Sequence, residues 1–171
     1  STVKPFIALG ALNENIINAN TTVYSSGEIR VPNPYNKELF TVFRDWKKGG
    51  HGTTDVTKAI AESVNTFFYA IGGGYEGQAG LGISRIEKYI KLFEIGDKTG
   101  VDILGEVSGV VPGPEWKKKV FDGDAWRLGD TYNTSIGQYG FQVTPIQIVR
   151  SIAVIGSDGV IVTPSFSLES I

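Results

Sequence analysis

The sequence contains no cysteine and no methionine, and no apolar run comes near the roughly 18 residues a bilayer-spanning helix needs. The absence of cysteine excludes disulfides and thiolate metal sites and leaves either redox compartment open. The absence of even an initiating methionine leads to the expectation that the chain is processed or is a piece of a longer protein. The N-terminus also lacks the basic, apolar, small-residue order of a signal peptide, so any anchor or targeting segment is expected outside the chain. Nor is there an excess of charge of one sign. The 16 Lys and Arg against 18 Asp and Glu are interspersed, with a net charge of -2, which gives no footprint for nucleic acid or for an anionic membrane surface.

What is present is the composition of one soluble globular domain: 171 residues, 41% hydrophobic and 20% charged. Val3, Phe6, Ile7, Leu9 and Leu12 follow helical spacing, with Pro5 tolerated near the first turn. From Asn18 to Asn36 the chain reads as loops with a small hairpin, using the fragments at 21–24 and 28–31. Thr54 is the expected N-cap of a helix through Glu62, and a second helix runs from Asn65 to Ile71 and stops at Gly72-Gly73-Gly74. Two capping boxes, Ser84 to Glu87 and Thr144 to Gln147, predict further helices closed by Gly96 and Gly156. Their stripes are Ile83, Ile86, Ile90 and Phe93 in one, and Ile146, Val149, Ile152 and Ala153 in the other. The stretch 100–140 reads as irregular, and 159–164 as a strand getting under way. Helices therefore dominate, with a few short strands.

Ser1 and Lys4 are three residues apart at the head of the first helix, so hydroxyl and amine share a face. Serine is a poor nucleophile unaided. Lysine serves as its base only where burial or a nearby cation lowers the amine pKa enough to populate the neutral form. The spacing alone is common among helices with a capping Ser and a solvated Lys. A second element, Ser63-Val64-Asn65, lies at the joint between two predicted helices. Read plainly, Ser and Asn cap those helices. Read functionally, a hydroxyl relays a proton and an amide binds a substrate amide.

These two elements in this order resemble the serine penicillin-recognising family of D,D-transpeptidases and β-lactamases. Further stretches narrow the likeness: Arg44-Asp45-Trp46, Gly50-His51-Gly52, Ala59 through Tyr69, Lys98-Thr99-Gly100-Val101-Asp102, Gly105-Glu106, Gly129 through Gln138 and Thr144 through Gln147. Together they resemble the transpeptidase domain of the penicillin-binding protein 2 family, class B enzymes of rod-shaped bacteria, nearly from end to end. The resemblance implies an α/β (α+β) fold of the penicillin-binding protein and serine β-lactamase type. Residues 1–171 would be a partial transpeptidase domain, mostly its helical lobe with an incomplete antiparallel sheet. It implies a peptidoglycan D,D-transpeptidase acting in cell elongation through a serine acyl-enzyme, also acylated by β-lactams. Ser1, Lys4 and Ser63 would be catalytic and Asn65 substrate-binding. No cofactor is implied. Partners would be stem peptides, β-lactams and, through regions outside the chain, elongation-machinery membrane proteins at the periplasmic face of the inner membrane.

The family also needs a Lys-Thr-Gly on a strand walling the cleft. Lys98-Thr99-Gly100 follows a helix stop and precedes Ile136-Gly137-Gln138, so it is expected to be a structural turn, with the catalytic copy beyond the chain. Tyr139 and Leu104 stand where the family usually has Gly and Pro. Asp45 and His51 fall where some members hold zinc together with a cysteine, but that position is Val64, so no metal is expected.

The oxyanion hole of this family uses the nucleophile's own amide N–H and one from the absent strand. Loss of such a donor costs roughly 2.7–4 kcal/mol, so the isolated chain is expected to be nearly inactive. Two other readings are an N-terminal-nucleophile hydrolase, in which the α-amine of Ser1 is the base, and a non-catalytic structural fragment.

Overall fold

The computed structural model describes residues 2–33, 36 and 38–167. In chain order the elements are α1 (Lys4–Asn13), β1 (Val23–Ser25), β2 (Glu28–Pro32), β3 (Phe40–Arg44), β4 (Gly52–Thr54), α2 (Val56–Ala61), α3 (Asn65–Gly73), α4 (Ile83–Leu92), α5 (Pro114–Val120), α6 (Leu128–Ser135) and α7 (Pro145–Gly156).

The core is built on α3, an apolar helix in which every residue from Thr66 to Gly72 is buried. α1 packs on it with Phe6 and Ile7, and α4 closes the other side of α1 with Ile86 and Ile90, all fully buried. α6 lies against α3 because Gly72 and Gly73 remove the Cβ atoms that would run into Ser135 and Tyr132. The ring of Tyr132 then fills the seam, and its hydroxyl donates to Gly74 O at 2.7 Å.

The strands form two antiparallel pairs, β1 with β4 and β2 with β3. The fragments expected to pair with each other, β1 and β2, do not. Gly27, with φ +96°, turns the chain between them, and Asp45 N donates to Gly27 O at 2.8 Å. The two ladders are thus the outer and inner parts of one antiparallel arm laid along α3. No described strand exceeds five residues, whereas an N-terminal-nucleophile architecture is built on long strands.

Two caps differ from expectation. Asp55, not Thr54, caps α2, accepting from Lys58 N at 2.8 Å, while the Thr54 hydroxyl is turned to Gly52 O. α4 starts at Ile83 with Gly82 as its N-cap, so Ser84 is already helical and its box does not form. The Thr144–Gln147 box does form.

The stretch read as irregular holds α5 and α6. Pro114 opens α5 after Gly113, with Glu115 in its first turn and lysines in its last, which suits the helix dipole. Asp130 reaches back to Arg127 N at 2.7 Å to open α6. Tyr139 takes φ +75°, a conformation glycine adopts freely. Its ring is held among Trp116, Phe121 and Trp126, which offsets the strain.

α7 forms as expected but is rotated. Gln147, Arg150, Ser151 and Val154 face inward, and Val149, Ile152 and Ile155 are 63%, 44% and 43% exposed. Residues 161–167 form no strand. Instead Asp102 accepts from the amides of Phe166 and Ser167 at 2.8 and 3.1 Å. No helix among the described residues is long and apolar enough to cross a membrane.

Candidate active site

Lys4 opens α1, and Val3 and Phe6 beside it are buried, so its side chain runs inward and is only 2% exposed. Across from it, α2 and α3 meet at a joint made of Glu62, Ser63 and Val64. Ser63 takes φ +53°, the left-handed region, while Val64, extended and fully buried, starts α3. That bend brings three oxygens to one amine. Lys4 Nζ donates to Ser63 Oγ at 2.9 Å, Ser63 O at 2.7 Å and Asn65 Oδ1 at 2.6 Å. The Phe68 ring centroid lies 5.4 Å from Nζ. The structure thus brings Lys4, Ser63 and Asn65 together; Ser1 lies outside the described residues.

Burial lowers the Lys4 pKa to about 8, with the carboxylate of Asp45 pulling the other way. A lysine ammonium has three donors, and all three are used. The neutral amine has two donors and a lone pair, and among the three partners only the Ser63 hydroxyl can also donate. Loss of the Lys4 proton leaves the nitrogen a lone pair that can accept from a hydroxyl, the Ser63 O–H being one within reach, while the bonds to Ser63 O and Asn65 Oδ1 can persist. A hydroxyl that reverses its hydrogen bond with the protonation state of a lysine is suited to passing a proton.

The chain between β3 and β4 backs this joint. Trp46 Nε1 donates to Glu62 O and Ser63 O at 3.1 and 3.2 Å, so Trp46 and Lys4 share the Ser63 carbonyl. Asp45 Oδ2 accepts from Thr66 N at 2.9 Å and lies 3.1 Å from its hydroxyl. His51 Nδ1 is 2.6 Å from Glu62 Oε2, and hydrogen bonding to His51 holds the Glu62 carboxyl below its ordinary range. That carboxylate only accepts, so Nδ1 carries the proton.

The residues at the zinc position do not fit the ion. His51 Nε2 is buried without a hydrogen-bond partner and faces Asp45 Oδ1 at 3.4 Å, while Glu62 sits on the opposite ring nitrogen. One ion cannot therefore take the ring and both carboxylates. The thiolate position is the buried methyls of Val64, and two donors fall short of zinc's usual four. Among the described residues no group of three or more His, Cys, Asp or Glu is placed to hold a metal.

Lys98-Thr99-Gly100 is engaged elsewhere. Thr99 N and Oγ1 donate to Glu106 Oε1 at 2.5 and 2.6 Å, Gly100 N donates to Oε2 at 3.0 Å, and Arg150 Nη1 donates to Thr99 O at 3.1 Å. Thr99 is buried and fully used in clasping the turn. This agrees with its reading as a structural turn.

A cavity of about 750 Å³ opens between the β2–β3 arm and α6, lined by Val31, Phe43, Arg127, Asp130 and Asn133. None of Lys4, Ser63 and Asn65 lines it. The candidate site is the close-packed lysine cluster, where the buried amine meets a hydroxyl and an amide. Sequence reasoning gave no role to Trp46 or Glu62. The one signal was Trp46 next to an acid in a Lys- and Gly-rich turn, where a buried core Trp is not expected.

The chain belongs to the penicillin binding protein transpeptidase domain family, whose sequence profile matches residues 1–170. Its fold is that of these domains. It is 40% identical over 164 residues to the peptidoglycan D,D-transpeptidase MrdA of Haemophilus influenzae, covering 96% of this chain and 23% of that protein. It superposes on Helicobacter pylori PBP2, solved in complex with MreC, with a TM-score of 0.84 and 38% identity, over 98% of this chain and 29% of that one. Pseudomonas aeruginosa PBP2 in complex with WCK 5153 matches with a TM-score of 0.84 and 32% identity, over 96% and 35% of the two chains. The chain spans about a quarter of the length of the curated relatives it matches.

Proposed function

We propose that the chain carries part of the transpeptidase domain of a peptidoglycan D,D-transpeptidase working through a serine acyl-enzyme, with Ser1 as nucleophile. The observation that carries this is the buried Lys4 amine, of lowered pKa, within hydrogen-bond distance of both Ser63 Oγ and Asn65 Oδ1.

Neutral Lys4 takes the proton of Ser1 Oγ as that oxygen bonds to the carbonyl carbon between two D-alanines. The tetrahedral intermediate collapses with cleavage of the C–N bond, and the departing amine takes a proton from the Ser63 hydroxyl, which is resupplied by the Lys4 ammonium. An amine of a neighbouring strand then attacks the ester, returning the proton by the reverse route and freeing Ser1. A β-lactam follows the same first steps. Its cleaved C–N bond lies in a ring, so no fragment departs and the ester persists. Asn65 positions the substrate amide through the part of its side chain not held by Lys4.

For the complete protein we place this chemistry in cell elongation at the periplasmic face of the inner membrane. An MreC-like partner is supported by the H. pylori complex.

The test uses the complete protein carrying this sequence and a fluorescent penicillin. Lys4→Ala is expected to lower the acylation rate constant by on the order of 10²- to 10⁴-fold, the usual worth of a general base. A Lys4→Ala rate equal to wild type contradicts the assignment.

A further inference from the structure

We propose that His51 is a positioning residue for this site, holding the Glu62–Ser63 turn as a metal-free clamp; the proposal rests on the transpeptidase reading above.

Ser63 needs such a clamp. A β-substituted residue at φ +53° is strained by roughly 1–2 kcal/mol and relaxes unless its surroundings over-determine it. Relaxation to negative φ would swing Oγ and the carbonyl away from Lys4, which now binds both. The residue before Ser63 is Glu62, and its carboxylate is anchored by Nδ1–H of His51 at 2.6 Å.

The ring is itself fixed. Its side chain is wholly buried, Trp46 packs edge-on at 5.3 Å, and Asp45 Oδ1 abuts its other nitrogen at 3.4 Å. The His51 backbone is tied on both sides, with N–H donating to Ser25 O at 3.1 Å and C=O accepting from Lys58 Nζ at 2.6 Å. On the far side of the ring, Asp45 fixes the amide of Thr66, the residue after Asn65. His51 thus stands between the anchor of the residue before Ser63 and the anchor of the residue after Asn65, and among the described residues it makes no hydrogen bond to Lys4. At this joint the chain places an imidazole hydrogen bond and the packed side chain of Val64.

The experiment compares wild type, His51→Ala and His51→Asn in the complete protein carrying this sequence. The Asn side-chain N–H₂ reaches the place of Nδ1–H. His51→Ala is expected to lower the first-order acylation constant for a fluorescent penicillin by on the order of 10- to 100-fold, with little change in the dissociation constant of the initial complex. Backbone amide exchange should rise at residues 62–66 and stay unchanged in α4. His51→Asn should recover most of both. Wild type should contain far less than one zinc per chain and acylate equally fast after chelation.

An unchanged acylation constant in His51→Ala overturns the proposal, and so does a loss of exchange protection spread evenly through α3 and α4. A stoichiometric metal whose removal reproduces the defect overturns it as well. If wild type takes up no penicillin, the transpeptidase reading fails, and the exchange at 62–66 still decides whether His51 is the clamp.

Discussion

At the scale of a single residue, the chemistry of the site turns on the buried amine of Lys4. With its pKa lowered from 10.5 to about 8, the neutral base is gained as pH rises, so acylation should increase with pH through a midpoint near 8. Asp45 is the charge that opposes this lowering, so Asp45→Asn should move the midpoint to lower pH, read from acylation rates across pH 6–10 in the complete protein. The same shift has a stability consequence. Between about 8 and 10.5 the unfolded lysine holds a proton that the folded one has lost, so folding becomes more favourable as pH rises across that window. The buried ammonium costs on the order of 3 kcal/mol below it. Urea unfolding should show stability rising from pH 8 to pH 10 in wild type relative to Lys4→Ala; parallel curves would contradict the assigned burial.

At the scale of elements, the contact between α3 and α6 depends on two glycines. Gly72→Ala would push a methyl into the Ser135 hydroxyl and should destabilise the fold by about 1–3 kcal/mol, as overpacking does, measured by urea unfolding. Asp124 ties the turn before α6. Its pKa is lowered to about 2 by the Arg127 guanidinium and Lys117, so its contribution is present above pH 4 and is lost as pH falls toward 2. Asp124→Asn should flatten the acid limb of the stability curve.

The apolar, helically spaced elements α1, α3, α4 and α7 were readable, together with the joint at Ser63, because helical spacing and flanking glycines are local signals. α5 and α6 were not readable. Their residues are Lys-, Asp- and Thr-rich, and α6 is held by Tyr132 in the glycine seam of α3, a tertiary contact without a local trace. The pairing of β1 with β4 across the inner strands was hidden for the same reason. α7 shows the opposite failure. Its apolar periodicity is real, but that face points outward, and Gln147 and Arg150 are buried because backbone carbonyls of Val107, Thr99 and Glu94 receive them. In the site, Lys4 drew notice by its spacing from Ser1, and Ser63 and Asn65 by their place at a helix joint and by the family resemblance; the structure brings the three together. Trp46 and Glu62 were not, since their roles run through main-chain carbonyls and the left-handed bend.

At the scale of the whole molecule, Val149, Ile152 and Ile155 together with Val160, Ile161, Val162 and Phe166 leave apolar surface uncovered, each 43–70% exposed. Surfaces of this kind bind other apolar surfaces. The 171-residue chain by itself should therefore self-associate, and the double substitution Val149→Glu and Ile152→Lys should reduce this in sedimentation velocity without lowering its helix content. An unchanged sedimentation profile, monomeric for both, would show that this face is innocuous.

In the proposed function Ser1, served by Lys4 and Ser63, is the acylated nucleophile. The most direct measurement is the intact mass of the complete protein carrying this sequence after incubation with a penicillin, followed by peptide mapping of the adduct. One penicilloyl group per protein is expected, on Ser1, formed faster as pH rises through about 8. No adduct, or a stoichiometric adduct on any other residue, would contradict it.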